Sequence, residues 1–373
     1  MDNPAYQKIY DHLLNRIISG DYKQGDRLPS ESDLCESFSV SRITSKKSLE
    51  MLADNGYIKR IPGKGSFVDI IKNEHKSVPE AVEKKYWKIG VILEGINNVF
   101  GTEIFSTIES LAESKNFYLI PRIVNGARIK EEEAIQALLD FGVDGLILMT
   151  SHNEDISSEL MKLVLNKIPL VLLDRFLHVI PAPFVGTDNV SSAKQATDYI
   201  LSLGHKHISF LSRPYANTNT INRIAGFVKS HAEHGIAIDE SIWITDIKSV
   251  VPGCYNSESI EEDILKIKNL IISNSDVTCF FASEYRIALI AKEAVIELGL
   301  HIPEDISIIC FDGPDDFLGK PFFTRIVQRE KMIGIKAVEL LMEEIVEHTD
   351  KSNVKIFYDA DLVIGKSTTK LQR

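Results

Sequence analysis

Apolar residues recur at helical spacing from the start of the chain. Tyr6, Ile9, Leu13 and Ile17 form one stripe, widened by Tyr10, Leu14 and Ile18, and this pattern predicts an amphipathic helix. Gly20 stops it. Gly25-Asp26-Arg27-Leu28-Pro29 reads as a turn, and Ser30-Glu31-Ser32-Asp33 as a capping-box-like helix start with a short carboxylate in the third position. Leu34 and Phe38 give a short second helix its apolar edge. Val40-Ser41 makes the next turn, and Ser41 is a good N-cap for a third helix. On that helix Ser45, Ser48, Leu49 and Leu52 share one face, while Arg42 and Lys46, with Ile43 and Lys47 beside them, share another. Gly56 ends it. Tyr57–Ile61 and Ser66–Ile70 read as strands around the tip Pro62-Gly63-Lys64-Gly65.

From Trp87 onward the pattern changes. Buried strands are predicted at Lys88–Leu93, Tyr118–Ile123, Gly145–Met149, Leu170–Leu173, Ile208–Leu211, Thr278–Ala282 and Ile306–Phe311. Amphipathic helices alternate with them, for example at Ala134–Leu139 and Ile290–Leu298. Strictly alternating elements argue for parallel sheets with helices on both faces. The series is long enough for two such sheets, and ligands of these folds bind outside the carboxyl ends of the strands. Residues 71–86 are charged and aperiodic and read as a linker. The expected domains are therefore 1–70, the linker 71–86, and 87–373.

Composition adds limits. With 44% apolar and 25% charged residues, the 373-residue chain has the make-up of a soluble globular protein. It holds no apolar run of the roughly 18 residues a membrane span needs. Its start shows no basic region followed by an apolar one, so no secretory signal is expected. The four scattered cysteines lack a C-x-x-C pair and are expected to be free thiols in a reducing, cytoplasmic setting.

Charge changes the picture more. The formal net charge is -11, yet residues 1–70 hold ten basic and ten acidic side chains. Within 41–64, six cations face only Glu50 and Asp54. Salt screens distant charge beyond about 8 Å, so an acidic protein with this patch can still bind a polyanion. Three helices and a β-hairpin in this order predict a winged helix-turn-helix. A helix fits the major groove with its N-terminal residues at base edges. That places Arg42 and Thr44 at bases and Lys46 and Lys47 at phosphates. The tip Gly63-Lys64-Gly65 is placed at a neighbouring groove, with Lys64 as its charged finger.

The runs Gly20–Glu31, Phe38-Ser39-Val40-Ser41-Arg42 and Gly63–Val68 closely resemble the GntR family of bacterial transcription regulators. The resemblance covers about residues 4–70 and adds Ser30, Glu31 and Ser41 to the expected DNA-contacting set. The family pattern V-S-R-x-T-V-R-K-A-L is kept at Val40, Ser41, Arg42, Thr44, Lys47 and Leu49. It is broken at Ser45, Lys46 and Ser48. A lysine at 46 loses the bidentate geometry of arginine, so phosphate is its expected contact. Ser45 and Ser48 are expected to bond back to carbonyls of the preceding turn.

The later runs Val143–Ile147, Ile168–Arg175, Val185–Asn189, Leu203–Ile208, Arg223–Phe227, Ile302–Ser307 and Phe311-Asp312 resemble the LacI/GalR regulators and their periplasmic sugar-binding relatives. That resemblance spans about residues 88–365. It implies an α/β sensor of two sub-domains joined by three crossovers, with a small molecule in the cleft between them. It also implies that Asp174, Arg223 and Asp312 hydrogen-bond sugar hydroxyls, in keeping with the bidentate reach of carboxylates and guanidinium groups. Arg175, Gln328 and Glu284 are further candidates, and Phe100 and Phe176 are candidates to cover an apolar sugar face. The family's Ala-Asn-Asp reads Ala282-Ser283-Glu284 here, so the identity of the sugar is not carried over.

The pairing of domains is similar to the arabinose-repressor group. It implies a homodimeric repressor that binds a palindromic operator in double-stranded DNA and is released by a sugar. The alternatives are a purine or other metabolite as effector, or a sugar-handling enzyme. No G-x-x-x-x-G-K-[ST] and no G-x-S-x-G occurs, so neither catalytic residues nor a cofactor are expected. His205-Lys206-His207 places alternate residues on opposite sides, and Asp312–Asp316 lacks calcium-loop spacing, so no metal is expected either.

Overall fold

The computed structural model describes residues 4–69, 86–96, 99–151, 157–214, 217–314, 319 and 321–371. The linker segment apart from Tyr86, and Asp315 and Asp316, lie outside the described residues. The chain falls into two compact units, Met1–Lys84 and Lys85–Arg373.

The first unit is a winged helix. Its helices are α1 (Ala5–Ile18), α2 (Glu31–Phe38) and α3 (Arg42–Asp54). They precede the antiparallel pair β1 (Ile58–Ile61) and β2 (Gly65–Val68). Its core is small and continuous, built from Ile9, Leu13, Leu34, Leu49, Leu52, Ile58 and Val68 among others. Both helix starts are capped as the sequence implied. Ser30 and Asp33 form a reciprocal capping box on α2, and the Ser41 hydroxyl accepts from the Thr44 N–H on α3. Ser45 and Ser48 are fully buried and donate to the carbonyls of Arg42 and Ser45. The hydroxyls that replace apolar side chains therefore carry no unmet hydrogen bond, which is the condition for burying them cheaply.

The second unit holds two sheets. The first runs β12-β7-β6-β5-β3-β4, all parallel. It consists of β3 (Trp87–Leu93), β4 (Phe117–Ile123), β5 (Gly145–Leu148), β6 (Leu170–Leu173), β7 (Phe184–Thr187) and β12 (Lys355–Tyr358). The second runs β13-β11-β10-β9-β8, with only β13 antiparallel. It consists of β8 (Ile208–Leu211), β9 (Cys279–Ala282), β10 (Ser307–Phe311), β11 (Thr324–Val327) and β13 (Asp361–Val363).

Helices cover both faces of each sheet, as buried parallel strands require. In the first lobe α4 (Thr102–Ser110), the one-turn α5 (Ala112–Lys115) and α12 (Glu330–Glu347) share one apolar cluster, and α6 (Arg128–Phe141) and α7 (Ser158–Leu165) share the other. In the second lobe α10 (Ser257–Ser273) and α11 (Tyr285–Glu297) lie on one face, and α8 (Asn189–Ser202) and α9 (Thr218–Glu233) on the other. The chain passes between lobes three times, after β7, after β11 and after β12. Four of these strands, β7, β11, β12 and β13, are absent from the strands read off the sequence. Among the described residues no helix is long and apolar enough to cross a membrane.

Candidate functional site

In the first unit, α3 presents its cationic face to solvent. Arg42 is 80% exposed, and its Nε donates to Glu31 Oε2 at 3.3 Å. Glu31 also accepts from Arg60 at 2.5 Å, and hydrogen bonds from Arg42 and Arg60 hold its carboxyl below the ordinary range although partial burial pushes the other way. Glu31 thus ties the start of α2 to α3 and to the hairpin. Thr44 is bonded to the Ser41 hydroxyl at 2.8 Å. Lys46 pairs with Glu50 at 3.6 Å, and Lys47 lies 3.9 Å over the Tyr6 ring. Such exposed contacts contribute about 0–1 kcal/mol each and yield readily to a phosphate. Gly63 and Gly65 both have positive φ, at 73° and 117°. The φ of Gly65 is one that a residue with a Cβ adopts only under strain, so glycine suits the turn there; the Arg27 Nε that a Cβ would meet at 2.9 Å ends a flexible side chain and can give way. Lys64 stands exposed between them.

In the second unit, the strand ends of both sheets converge on one cleft of about 860 Å³. Glu94 follows β3, Asp174 and Arg175 follow β6, Arg213 lies two residues past β8, Ser283 and Glu284 follow β9, Asp312 follows β10 and Gln328 follows β11. Arg223 enters from α9 and is 7% exposed. Its Nε donates to Asn189 Oδ1 at 2.7 Å, one terminal nitrogen donates to the Ser283 carbonyl at 2.5 Å, and the group stacks 3.7 Å from the Phe311 ring centroid. The guanidinium is thereby fixed, and its charge is shared with Asp312, Asp174 and Glu284.

Burial dominates the carboxylates. It pushes Asp312 up to about 6 despite the neighbouring Arg223, and it raises Asp174 despite Arg175 and Arg223. Gln328 Nε2 donates to both Asp312 oxygens, at 2.9 and 3.1 Å, while its own carbonyl accepts from Thr187 at 2.6 Å. That chain links the ends of β7 and β11, where two of the crossovers begin. Arg175 is committed to Glu94 and to the Thr150 carbonyl. The Glu284 Oε1 and Ser249 Oγ atoms are buried without a partner. Fixed donors and acceptors of both signs around an open volume suit a ligand rich in hydroxyl groups.

The structure brings Asp174, Arg175, Arg223, Glu284, Asp312, Gln328 and Phe100 to the same cleft. Phe176 is a correction. It lies outside the cleft, edge-on to Phe184 at 5.3 Å between ring centroids and to Phe357 at 6.3 Å. The chain turns sharply at Asp174, whose φ is 63°. Asp174 and Arg175 face the opening, and Phe176 falls back on the face that packs α6 and α7. Sequence reasoning missed Asn219, which hydrogen-bonds Asp174 and Asn189. It sits four residues before Arg223 on α9, a spacing that puts both on one helix face. His205 is a buried structural residue, bonded to Thr278 at 2.9 Å and to the Thr369 carbonyl at 3.0 Å.

Comparison with known proteins follows the same division. Residues 5–68 match the bacterial regulatory proteins, gntR family, and residues 197–368 match the periplasmic binding protein-like domain. The chain is 24% identical to the arabinose metabolism transcriptional repressor of Geobacillus stearothermophilus, over 99% of this chain and 98% of that one. It is also 24% identical to the protein of that name from Halalkalibacterium halodurans, over 98% and 96%. A LacI family transcriptional regulator from Enterococcus faecium, solved with bound ribose, superposes with a TM-score of 0.62 at 25% identity, covering 76% of this chain and all of that one. These relatives are transcription regulators and not enzymes, as the sequence led us to expect.

Proposed function

We propose that this chain, a bacterial transcription regulator that joins a GntR-family DNA-binding domain to a periplasmic-binding-protein-like domain, is a cytoplasmic repressor released from its operator by a sugar. Arg42 and Thr44 read bases, Lys46, Lys47 and Lys64 meet phosphates, and Gly63 and Gly65 let the hairpin tip approach the groove. Ser30 and Ser41 set the helix starts, and Glu31 aims Arg42. Two copies pair and place two winged helices on the half-sites of a palindrome. Residues 1–70 form the DNA-binding domain, 71–86 the linker and 87–373 the sensor.

The observation that carries the sugar reading is the Asp174–Arg223–Asp312 cluster at the meeting of both sheets. Buried groups of this kind reject analogues that lack a matching hydroxyl, because the site is then left unpaired. The sugar repertoire of the relatives, named for arabinose or solved with ribose, makes pentoses the first compounds to try. Phe100 covers an apolar face of the ring. Arg175, Gln328 and Glu284 hold or extend the two aspartates. Sugar binding draws the lobes together, and a coupling of about 1–3 kcal/mol, or 5–150-fold in DNA affinity, suffices for release.

A thermal-shift screen of pentoses, hexoses and purines tests this reading. A true effector at 100 times its Kd adds about 2.7 kcal/mol of stability. Stabilisation by purines alone would overturn the sugar assignment.

A further inference from the structure

Two carboxylates stand within the cationic face of α3. Arg42, Lys46 and Glu50 are spaced four residues apart, so they form a single stripe along the helix. Glu31, the first residue of α2, meets the head of that stripe at Arg42. Bare carboxylates on a face that takes phosphate would oppose binding, because like charges repel across an interface. Between the two acids lies Arg60 of β1.

Arg60 uses both ends of its guanidinium. One terminal nitrogen donates to Glu31 Oε1 at 2.5 Å, and the other lies 3.5 Å from Glu50 Oε1. Each acid also has a second cation. Arg42 Nε is 3.3 Å from Glu31 Oε2, and Lys46 Nζ is 3.6 Å from Glu50 Oε1. The five groups make one ladder of alternating sign, Arg42–Glu31–Arg60–Glu50–Lys46. Its ends are the most exposed, at 80% for Arg42 and 57% for Lys46, against 31% for Arg60. Arg60 belongs to the antiparallel hairpin, where it pairs with Ser66. The outer cations can therefore turn away to a duplex while the central one stays.

We propose, on the reading of α3 as the DNA-contacting helix, that Arg60 is a positioning residue for DNA binding. It keeps Glu31 and Glu50 neutralised when Arg42 and Lys46 leave them for the duplex. A guanidinium fork can serve two carboxylates at once, which the point charge of a lysine does less well. Without Arg60, Glu31 holds Arg42 back from the base edge. Glu50 then holds Lys46 and repels the phosphates.

The test is fluorescence anisotropy of the full chain with DNA that the protein selects from a random library, and with a scrambled duplex. Arg60→Gln should lose roughly three- to tenfold in affinity for the selected DNA, the scale of two partly exposed ion pairs, and lose less on the scrambled duplex. Adding Glu50→Gln to Arg60→Gln should regain part of that loss. The same Glu50→Gln change should gain less in the wild-type background, as coupling within one network requires. Arg60→Lys, which keeps the charge, should fall between wild type and Arg60→Gln, and it carries the same cycle with Glu50→Gln if circular dichroism shows the glutamine variant unfolded. Equal effects of Glu50→Gln in both backgrounds, or wild-type binding by Arg60→Gln, overturn the role of Arg60. A salt slope lowered by about 1 without rescue also overturns it, and makes Arg60 a phosphate contact itself. If Arg42→Ala binds the selected DNA like wild type, the reading of α3 fails instead.

Discussion

Asp174 and Asp312 occupy equivalent places in the two sheets. Each is the first residue beyond its strand, β6 or β10, and each has φ of 63°. The Asp174 N–H donates to the Val185 carbonyl of β7 at 3.0 Å, and the Asp312 N–H to the Ile326 carbonyl of β11 at 2.8 Å. A left-handed conformation costs a residue with a Cβ about 1–3 kcal/mol, and such strain gathers at ligand sites. The two lobes thus present matching carboxylates to one guanidinium, that of Arg223.

Effector binding should weaken in acid. Burial pushes Asp312 up to about 6 and raises Asp174 too. Once protonated, neither accepts the charge-assisted hydrogen bonds of an ionised carboxylate. Affinity should be constant from pH 7 to 8 and fall as pH drops through about 6, measured by calorimetry. Glu330, raised by burial to about 7, caps α4 through the Gly101 and Ile104 N–H groups. Glu330→Gln should leave the acid loss in place if Asp312 causes it.

Asp312→Asn should separate stability from response. The folded value of Asp312 lies above its ordinary 3.8, so its contribution to stability is fully present below that value and lost as pH rises through about 6. At pH 7 the ionised group therefore lowers the stability of the folded sensor. The variant should melt at least as high as wild type at pH 7, lose part of the stability gain seen between pH 6 and 4, and fail to bind sugar. Thermal melts across pH read all three.

The two parts of the DNA surface should fail differently. Arg42→Ala should cost about 1–3 kcal/mol and relax sequence preference, whereas Lys64→Ala should weaken all sequences alike and lower the salt slope by about 1. Anisotropy titrations at several salt concentrations distinguish them. If both variants bind like wild type, the docking of α3 and the hairpin is wrong.

Closure of the lobes should depend on Gly126. Its φ is 69°, and an added Cβ would lie 2.3 Å from Pro252 Cγ. Gly126→Val should weaken sugar binding at least tenfold, on the scale of a strained and overpacked contact, and leave DNA affinity in the absence of sugar unchanged. A calorimetric and an anisotropy titration on the same preparation check both.

Much of this was legible in the chain. The capping residues Ser30 and Ser41 and the apolar spacing of α1 to α3 encode the winged helix locally, because each acts within one turn. The buried runs around Gly90, Ile147 and Val171 mark their strands through continuous apolar sequence. The remaining strands β7, β11 and β12 are no shorter than β5 or β6, and β13 is one residue shorter, but each carries polar residues such as Thr187, Arg325, Lys355 and Asp361 that break the apolar run. Of the cleft, residues directly after apolar strands were readable. Asn219 and Ser249 were not, since one is placed by a helix face and the other by a loop pinned to Asp263. Phe176 was misplaced because the turn at Asp174 reverses which side of the chain faces the opening.

The most direct test of the account is the affinity for operator DNA with and without sugar. DNA selected by the protein from a random library serves as probe, and a sugar found by thermal shift serves as effector. Fluorescence anisotropy should show a 5–150-fold loss of affinity at saturating sugar for the wild type, and none for Asp312→Asn, with both binding DNA equally in its absence. Contradiction would come from a sugar that binds the wild type without moving its DNA affinity, or from an Asp312→Asn protein that responds like wild type.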